Sequence, residues 1–475
     1  MLKILLIKPR FFDGFWLHES ITQPIGLMYI GATLKRSGYH VKIHDCCRDH
    51  KDLHILKRIL SVWKPDYIGI SIIITEVKET LRIMGMIREI KPDIPVVFGG
   101  PWPSANPEQA ILKLGADFVV LGEGELIFPQ LINSLRNGLI IGSIPGIASI
   151  VNGSVKVNPK VYLTEEELNN QPFPAWDLLD NTLYSKMNSM PGVGRRPYMP
   201  IITSRGCPYR CVYCHQTMGK VFRKRSAESV IAEIETLRFQ FGFKEFEILD
   251  DCFNLDRKRM QEILKGIRDK IGDVRLHFPN AVRSDLLDPE DIPLFKDAGT
   301  VSLFFAIETA SPRLQKMINK NLNLEKASYA IEASVRAGIY STGYFMIGFP
   351  SETYEEALHT VKFAARSLLH RALFFNPIPF AGTELEKMAA DVLKNRQDML
   401  DPRVMNYHIS TLNISAMSDR SLQKISKEAY RRFYLNPRRI FRLIKFISLH
   451  PDLFTMKRLG AMFINTFLSR ERLRK

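Results

Sequence analysis

The apolar and polar positions of the chain set up two stretches of strand-and-helix rhythm with an irregular segment between them. Short apolar runs at 3–7, 41–43, 67–71, 96–98 and 118–121 alternate with segments at 27–36, 53–63, 77–90 and 107–114 whose apolar residues recur at helical spacing. Strands that stay apolar on consecutive positions are buried on both faces, so this stretch predicts a parallel sheet with helices on each side. Such sheets bind ligands beyond the carboxyl ends of their strands. The chain places Gly99-Gly100-Pro101 and Gly122-Glu123-Gly124-Glu125 there. No G-x-G-x-x-G follows the first strand, which argues against a nicotinamide or flavin site.

From 141 to 196 the periodicity weakens. Pro145-Gly146 and Asn152-Gly153 read as turns of a small hairpin inside a linker, and Phe173 and Trp176 as packing between domains. A second series follows, with strands predicted at 199–203, 245–249, 275–278, 301–306, 341–347 and 373–376. The helices between them fall at 227–241, 257–271, 289–296, 312–318, 325–337 and 354–367. Strand–helix units in unbroken succession predict a barrel-like or open parallel sheet with its site at the strand C-terminal ends. Beyond 395 the strand signal gives way to basic amphipathic segments at 421–433, 437–447 and 453–467. The expected division is therefore 1–140, a linker at 141–196, 197–394 and a helical tail at 395–475. The chain shows no internal repeat.

Composition adds little to this picture: 475 residues, 45% hydrophobic and 24% charged, is the profile of a globular protein with more than one core. No apolar run is long enough to span a bilayer, and the N-terminus meets Lys8-Pro9-Arg10 too soon for a secretory signal. Six cysteines make no disulfide framework: three are clustered, Cys46 and Cys47 are adjacent, and Cys252 stands apart. A reducing cytoplasm is the expected setting. Charge changes the picture more. Of the net +16, residues 420–475 carry +12, with 15 Lys or Arg against 3 acids. A tail of this kind meets nucleic acid, an anionic membrane surface or an acidic partner, or is a solvated helical face.

The candidate chemistry lies just after the first strand of the second series. Cys207, Cys211 and Cys214 stand in Ser-Arg-Gly-Cys-Pro-Tyr-Arg-Cys-Val-Tyr-Cys-His, close enough to converge on one metal centre, with no fourth cysteine nearby. Three thiolates around a [4Fe–4S] cubane leave one iron open for a ligand that is not protein. Zinc with His215 as fourth ligand is the competing set, but adjacent residues seldom converge on one tetrahedral ion.

This cysteine spacing, with Tyr213 before the last thiol, resembles the signature of the radical S-adenosylmethionine (SAM) superfamily. Glu247-Ile248-Leu249-Asp250-Asp251, Ala306-Ile307-Glu308-Thr309, the run from Gly343 through Gly348 to Thr353, and Pro377, Pro379 and Gly382-Thr383 agree in order. The resemblance implies a partial (β/α)6 TIM-like barrel. It also implies that Asp250 or Asp251 meets the amino group of SAM, that Glu308 meets its ribose and that Gly348 passes near its adenine. One of the two aspartates is expected to function and the other to cap the following helix. Arg283 is a candidate for the cosubstrate carboxylate, with a structural ion pair as the alternative.

The first stretch resembles the cobalamin-binding, Rossmann-like (flavodoxin-like) domain that precedes this barrel in a large subgroup. The match rests on Pro24-Ile25-Gly26-Leu27-Met28-Tyr29-Ile30, Gly38-Tyr39-His40-Val41, the run from Pro65 to Ser71, Phe98-Gly99-Gly100-Pro101 and Leu121-Gly122-Glu123-Gly124-Glu125. Ser71, Gly99, Gly100, Gly122 and Gly124 are the implied cobalamin contacts. The Asp-x-His-x-x-Gly of cobalamin mutases is missing; His18 is on that loop without the motif. A flavodoxin-like domain without cofactor is the alternative.

The whole then resembles a cobalamin-dependent radical SAM methyltransferase. The resemblance implies a 5′-deoxyadenosyl radical, methylcobalamin as methyl donor and an unactivated carbon (or phosphorus) as acceptor. An oxidative cyclase or rearrangement enzyme on the same architecture is the first alternative, and a non-catalytic nucleic-acid-binding module with a structural iron–sulfur or zinc centre the second. Implied partners are a small or lipid-like substrate and an external electron donor of flavodoxin or ferredoxin type. The basic tail is placed over the substrate entrance or on a membrane surface.

Overall fold

A computed structural model describes residues 1–10, 22–46, 52–184, 193–194, 197–215, 217–394 and 412–454. Five parallel strands, β1 (Lys3–Lys8), β2 (His40–Asp45), β3 (Tyr67–Ser71), β4 (Val96–Gly99) and β5 (Phe118–Val120), form most of the first sheet in the order β2-β1-β3-β4-β5. Ile4, Leu5, Leu6 and Ile7 are all buried, as a strand covered on both faces requires. Helix α1 (Ile25–Arg36) packs on one face and the helix Val77–Ile90 on the other.

The segment expected to link the domains extends this sheet instead. β6 (Ile147–Val151) pairs antiparallel with β5, and β7 (Ser154–Val157) with β6. Their turn is Asn152-Gly153, both residues at positive φ, which is the backbone a two-residue hairpin demands. Ile147 and Ala148 are fully buried against the sheet. The first unit also gains α2 (Gly124–Arg136), a helix the periodicity did not predict because it opens on Gly-Glu and carries Pro129 inside.

The second sheet is entirely parallel. β8 (Tyr198–Ile201), β9 (Glu245–Ile248), β10 (Arg275–Val282), β11 (Thr300–Glu308), β12 (Tyr340–Met346) and β13 (Arg371–Phe375) lie side by side in sequence order. The helices α3 (Ala227–Phe239), α4 (Arg257–Gly266) and α5 (Tyr354–Arg366) belong to its outer layer. One apolar core runs from the first unit into the second, with Leu27, Met28, Trp176 and Leu179 continuous with Met199 and Phe246. Trp176 packs against Phe173 and Phe241 at 6.0 and 5.4 Å between ring centres.

The tail closes the open edge of this sheet. Helix α6 (Asp419–Tyr434) places the Tyr434 and Tyr430 hydroxyls on β13, where they exchange hydrogen bonds with the backbone of Ala372 and Phe374. Those strand groups are otherwise an unpaired edge. Helix α7 (Pro437–Leu449) sits at the N-terminal end of β12 and β13, where Phe446 packs on Tyr340 and His370. It therefore lies at the opposite end from the strand C-termini, whereas the start of the tail reaches them, with Ile414 in the apolar cluster against which Tyr213 packs and Leu422 beside Gly348. The predicted segment 453–467 falls outside the described residues after Phe454. Among the described residues no helix is long and apolar enough to cross a membrane.

Candidate functional site

The cysteine loop leaves the end of β8 and is clasped at its root by two neighbouring carboxylates. Asp250 accepts from the Thr203 N–H at 2.6 Å and from the Ser204 and Thr203 hydroxyls. Asp251 accepts from the Gly206 N–H at 3.1 Å. Gly206 has φ +80°, and a Cβ there would stand 2.2 Å from the Val221 carbonyl, so no other residue fits directly before Cys207. Neither aspartate caps the following helix, contrary to the sequence expectation. Asp256 does, accepting from the Arg259 N–H at 3.0 Å.

The middle of the loop is held from another side. The Val212 N–H donates to the Ile318 carbonyl at 3.0 Å, the Asn319 side chain to the Arg210 carbonyl at 3.0 Å, and Lys220 Nζ to the Tyr209 carbonyl at 2.8 Å. Cys207, Cys211 and Cys214 are all half-buried. Burial pushes the Cys207 thiol up and the Cys214 thiol up to about 12, with Lys220 opposing and the neighbouring thiols adding to the rise. Three thiols on one loop are a donor set for a soft metal centre, whose binding has to displace their protons. Among the described residues no three His, Cys, Asp or Glu side chains close on a single ion. A cubane spreads its ligands over separate irons and needs no such convergence. His215 Nδ1 instead meets the Thr217 hydroxyl at 3.0 Å. Cys46 and Cys252 are buried thiols; Cys47 lies outside the described residues.

Across from the loop, the register of β11 slips between Ala306 and Glu308, and Glu308 takes φ +64°. Its Oε1 accepts from the Tyr213 hydroxyl at 3.1 Å and from Lys320 Nζ at 3.0 Å. Its Oε2 is buried without a hydrogen-bond partner, a free acceptor beside the cysteine loop. Lys320 was not singled out from the sequence. Its one signal was the flanking pair Asn319 and Asn321, both at positive φ in the structure.

Gly348, at φ +111°, starts the turn after β12, and Glu352 receives the Gly348 and Phe349 N–H groups. Burial raises the Glu352 carboxyl to about 7. Arg283 departs from its proposed role. Its guanidinium forks onto Asp285 at 2.9 and 3.3 Å, donates to the Lys320 carbonyl and lies 3.6 Å over the Tyr209 ring. It is a structural ion pair beneath the loop rather than a free fork for a carboxylate.

At the carboxyl ends of β1, β3, β4 and β5 a cavity of about 170 Å³ opens, lined by Ser71, Gly99, Gly100, Gly122 and Gly124. Gly100 and Gly122 have φ +92° and +86°, and a Cβ at Gly122 would stand 2.8 Å from the Val161 carbonyl. A Cβ at Gly99 would meet nothing within 4 Å. Bare backbone around an open, mostly apolar hollow suits a large, flat, amide-fringed ring such as a corrin. No histidine is among the described residues lining it, and His18 lies outside the described residues.

The far wall of the cavity comes from the second unit: Ile202, Arg205, Thr217 and Met218, the last three flanking the cysteine triplet. Arg205 pairs with Glu125 at 2.6 Å and Glu123 at 3.3 Å, and Arg223 with Glu123 at 2.8 Å. All four side chains are less than a tenth exposed. The Arg205 guanidinium also stands 5.1 Å over the Tyr29 ring, which lines the same cavity. The sequence carried this pairing in plain view, Glu-x-Glu in one motif and Ser-Arg-Gly-Cys in another, but gave no sign that they meet.

Comparison with known proteins matches the same two units. Residues 18–132 match the B12 binding domain and residues 201–364 the radical SAM superfamily. An uncharacterized methyltransferase of Pyrococcus horikoshii is 30% identical over 442 residues, covering 92% of this chain and 94% of its own. A cytidylyl-2-hydroxyethylphosphonate methyltransferase of Streptomyces wedmorensis is 27% identical, with 88% and 87% covered. Among solved structures, the radical SAM methyltransferase TsrM of Kitasatospora setae, with tryptophan and a SAM analogue bound, superposes with TM-score 0.68 at 20% identity, over 83% of this chain and 77% of that one.

Proposed function

The chain belongs to the radical SAM enzymes that carry an N-terminal B12-binding domain, and on that premise we propose that it transfers a methyl group to an unactivated carbon or phosphorus of a small molecule. The observation that carries this reading is the shared wall: Arg205, Thr217 and Met218 line the cavity at the first sheet and flank the cysteine triplet of the second. A methyl donor held in that cavity and a radical source held at the triplet act on one substrate only if the two sites adjoin.

When bound, the cluster supplies the electron that splits the sulfonium of SAM, and cobalamin supplies the methyl group. The protein's part is to hold and orient. Cys207, Cys211 and Cys214 ligate the cluster. Asp250 and Asp251 fix the root of that loop, Asp250 through Thr203 and Ser204 and Asp251 through Gly206. Glu308, oriented by Tyr213 and Lys320, presents its free Oε2 to the ribose hydroxyls. Gly348 keeps the turn after β12 flat beside the adenine. Ser71, Gly99, Gly100, Gly122 and Gly124 receive the corrin edge. Arg283 acts through its ion pair with Asp285, which braces Tyr209 from below.

Anaerobic reconstitution with iron, sulfide and hydroxocobalamin, followed by reduction in the presence of SAM, tests the assignment. Methyl transfer predicts both 5′-deoxyadenosine and S-adenosylhomocysteine. Formation of 5′-deoxyadenosine alone favours oxidative cyclisation or rearrangement, and cleavage of SAM by neither route overturns the enzyme reading.

A further inference from the structure

Helix α7 carries apolar residues on more sides than its packing uses. Phe446 and Arg439 face the body: Phe446 lies 4.6 Å from the His370 ring and 5.5 Å from Tyr340. Arg439 stacks on Phe433 at 3.5 Å and donates to the carbonyls of Ala364, Ala365 and Ser367 at the C-terminus of α5. Those carbonyls end a helix and have no intrahelical donors, so the guanidinium anchors α7 firmly. On the outward side, Ile440, Phe441 and Ile444 share one stripe and are 43%, 71% and 60% exposed. Beside that stripe Arg438 and Lys445 are exposed cations, Arg442 is half-buried and donates to the Leu368 carbonyl at 2.9 Å, and the helix contains no acidic residue. A surface helix that already buries one apolar side gains nothing for folding from a second.

We propose that the outward face of α7 docks flat on an anionic lipid bilayer. Ile440, Phe441 and Ile444 enter the boundary between headgroups and acyl chains while Arg438 and Lys445 reach the lipid phosphates. Charge and side-chain type decide between occupants. A second copy of this chain brings the same net +16 and the same exposed cations, so it is repelled. A nucleic acid would use the cations but has no partner for the aliphatic Ile440 and Ile444, since bases stack on aromatic rings. The chain after Phe454 adds Lys457, Arg458, Arg470, Arg472, Arg474 and Lys475 against Glu471 alone, extending the same sign of charge. Docking at this pole turns the C-terminal ends of the strands, and with them the cysteine loop, away from the lipid toward aqueous electron donor and substrate.

Cosedimentation of the full chain tests the proposal, using vesicles of phosphatidylcholine alone and of phosphatidylcholine with phosphatidylglycerol. Wild type pellets with the anionic vesicles and is released as salt rises. Phe441→Asp/Ile444→Asp and Arg438→Glu/Lys445→Glu each weaken that binding by at least about tenfold while reductive SAM cleavage stays at wild-type rate. The charge-reversed variant decides the matter should the apolar one fail to fold. Three results overturn the proposal. One is wild type that stays in the supernatant, and another is variants that pellet as wild type does. The third is a wild-type dimer, or RNA retention, that these substitutions abolish in a protein indifferent to vesicles.

Discussion

Glu308 is held from one side only. Tyr213 and Lys320 both donate to Oε1, and Oε2 is left buried and free. A buried carboxylate oxygen without a donor costs stability unless a ligand completes it. Glu308→Gln keeps the shape and an acceptor but removes the charge, so SAM binding weakens about tenfold, and the unfolding midpoint falls as well because Lys320 keeps a buried charge without its carboxylate. Equilibrium binding to the reconstituted enzyme reads this, and unchanged affinity would remove Glu308 from the cosubstrate site. Cys211→Ala abolishes 5′-deoxyadenosine formation while the first domain keeps its cobalamin uptake, which product analysis and absorbance spectra report separately. Glu352 gives a pH signature. Its folded carboxyl titrates at about 7 against a usual 4.5. The folded state therefore keeps a proton that the unfolded chain releases. This stabilisation is complete below 4.5 and is lost as pH rises to about 7, an effect of at most about 3 kcal/mol. Glu352→Gln keeps an acceptor for the Gly348 and Phe349 N–H groups and flattens that slope, which urea midpoints across the range measure.

At the scale of elements, Asp256 shows how local chemistry divides labour between neighbouring aspartates. It caps α4 and pairs with Lys224 at 2.5 Å, whereas Asp250 and Asp251 hold the cysteine loop. Asp256→Ala therefore costs about 1 kcal/mol of stability and leaves cluster assembly intact, while Asp250→Ala frees the loop root and lowers iron retention. Urea denaturation and iron content separate the two outcomes. The parallel strands were legible because burial on both faces writes a continuous apolar run, as Ile4 to Ile7 does. The cysteine loop and the glycine turns were legible because their chemistry is written in adjacent residues. Asn152-Gly153 made the β6–β7 hairpin legible but not its place at the edge of the first sheet, because the pairing of β6 with β5 is a contact that a turn signal does not carry. Helix α2 was hidden by Pro129. Lys320 and the fate of Arg283 depend on contacts with residues far along the chain, and no single-sequence pattern carries those.

For the whole molecule the decisive contact is the buried charge cluster that joins the two units. Arg205 and Arg223 come from the short ribbon beside the cysteine loop, and Glu123 and Glu125 from the start of α2 at the cavity rim. Placing these charges in the interior is costly, and their attraction roughly offsets that cost, so the cluster contributes register more than net stability. Removing one partner is another matter, because the remaining charge stays buried and unpaired. Arg205→Met leaves Glu125 without its 2.6 Å partner and costs about 3 kcal/mol. The same substitution at Arg313, whose pair with Glu356 is half-exposed, costs under about 1 kcal/mol. Arg205→Met also places uncompensated negative charge on the cavity wall, so cobalamin retention falls along with the unfolding midpoint. Combining it with Glu125→Met restores part of both losses, and the restored part is the coupling across the domain interface. Should Arg205→Met keep wild-type stability and cobalamin retention, the domains are registered by the apolar contact of Met28 and Trp176 with the second unit, and the charge cluster has no part in aligning the two sites.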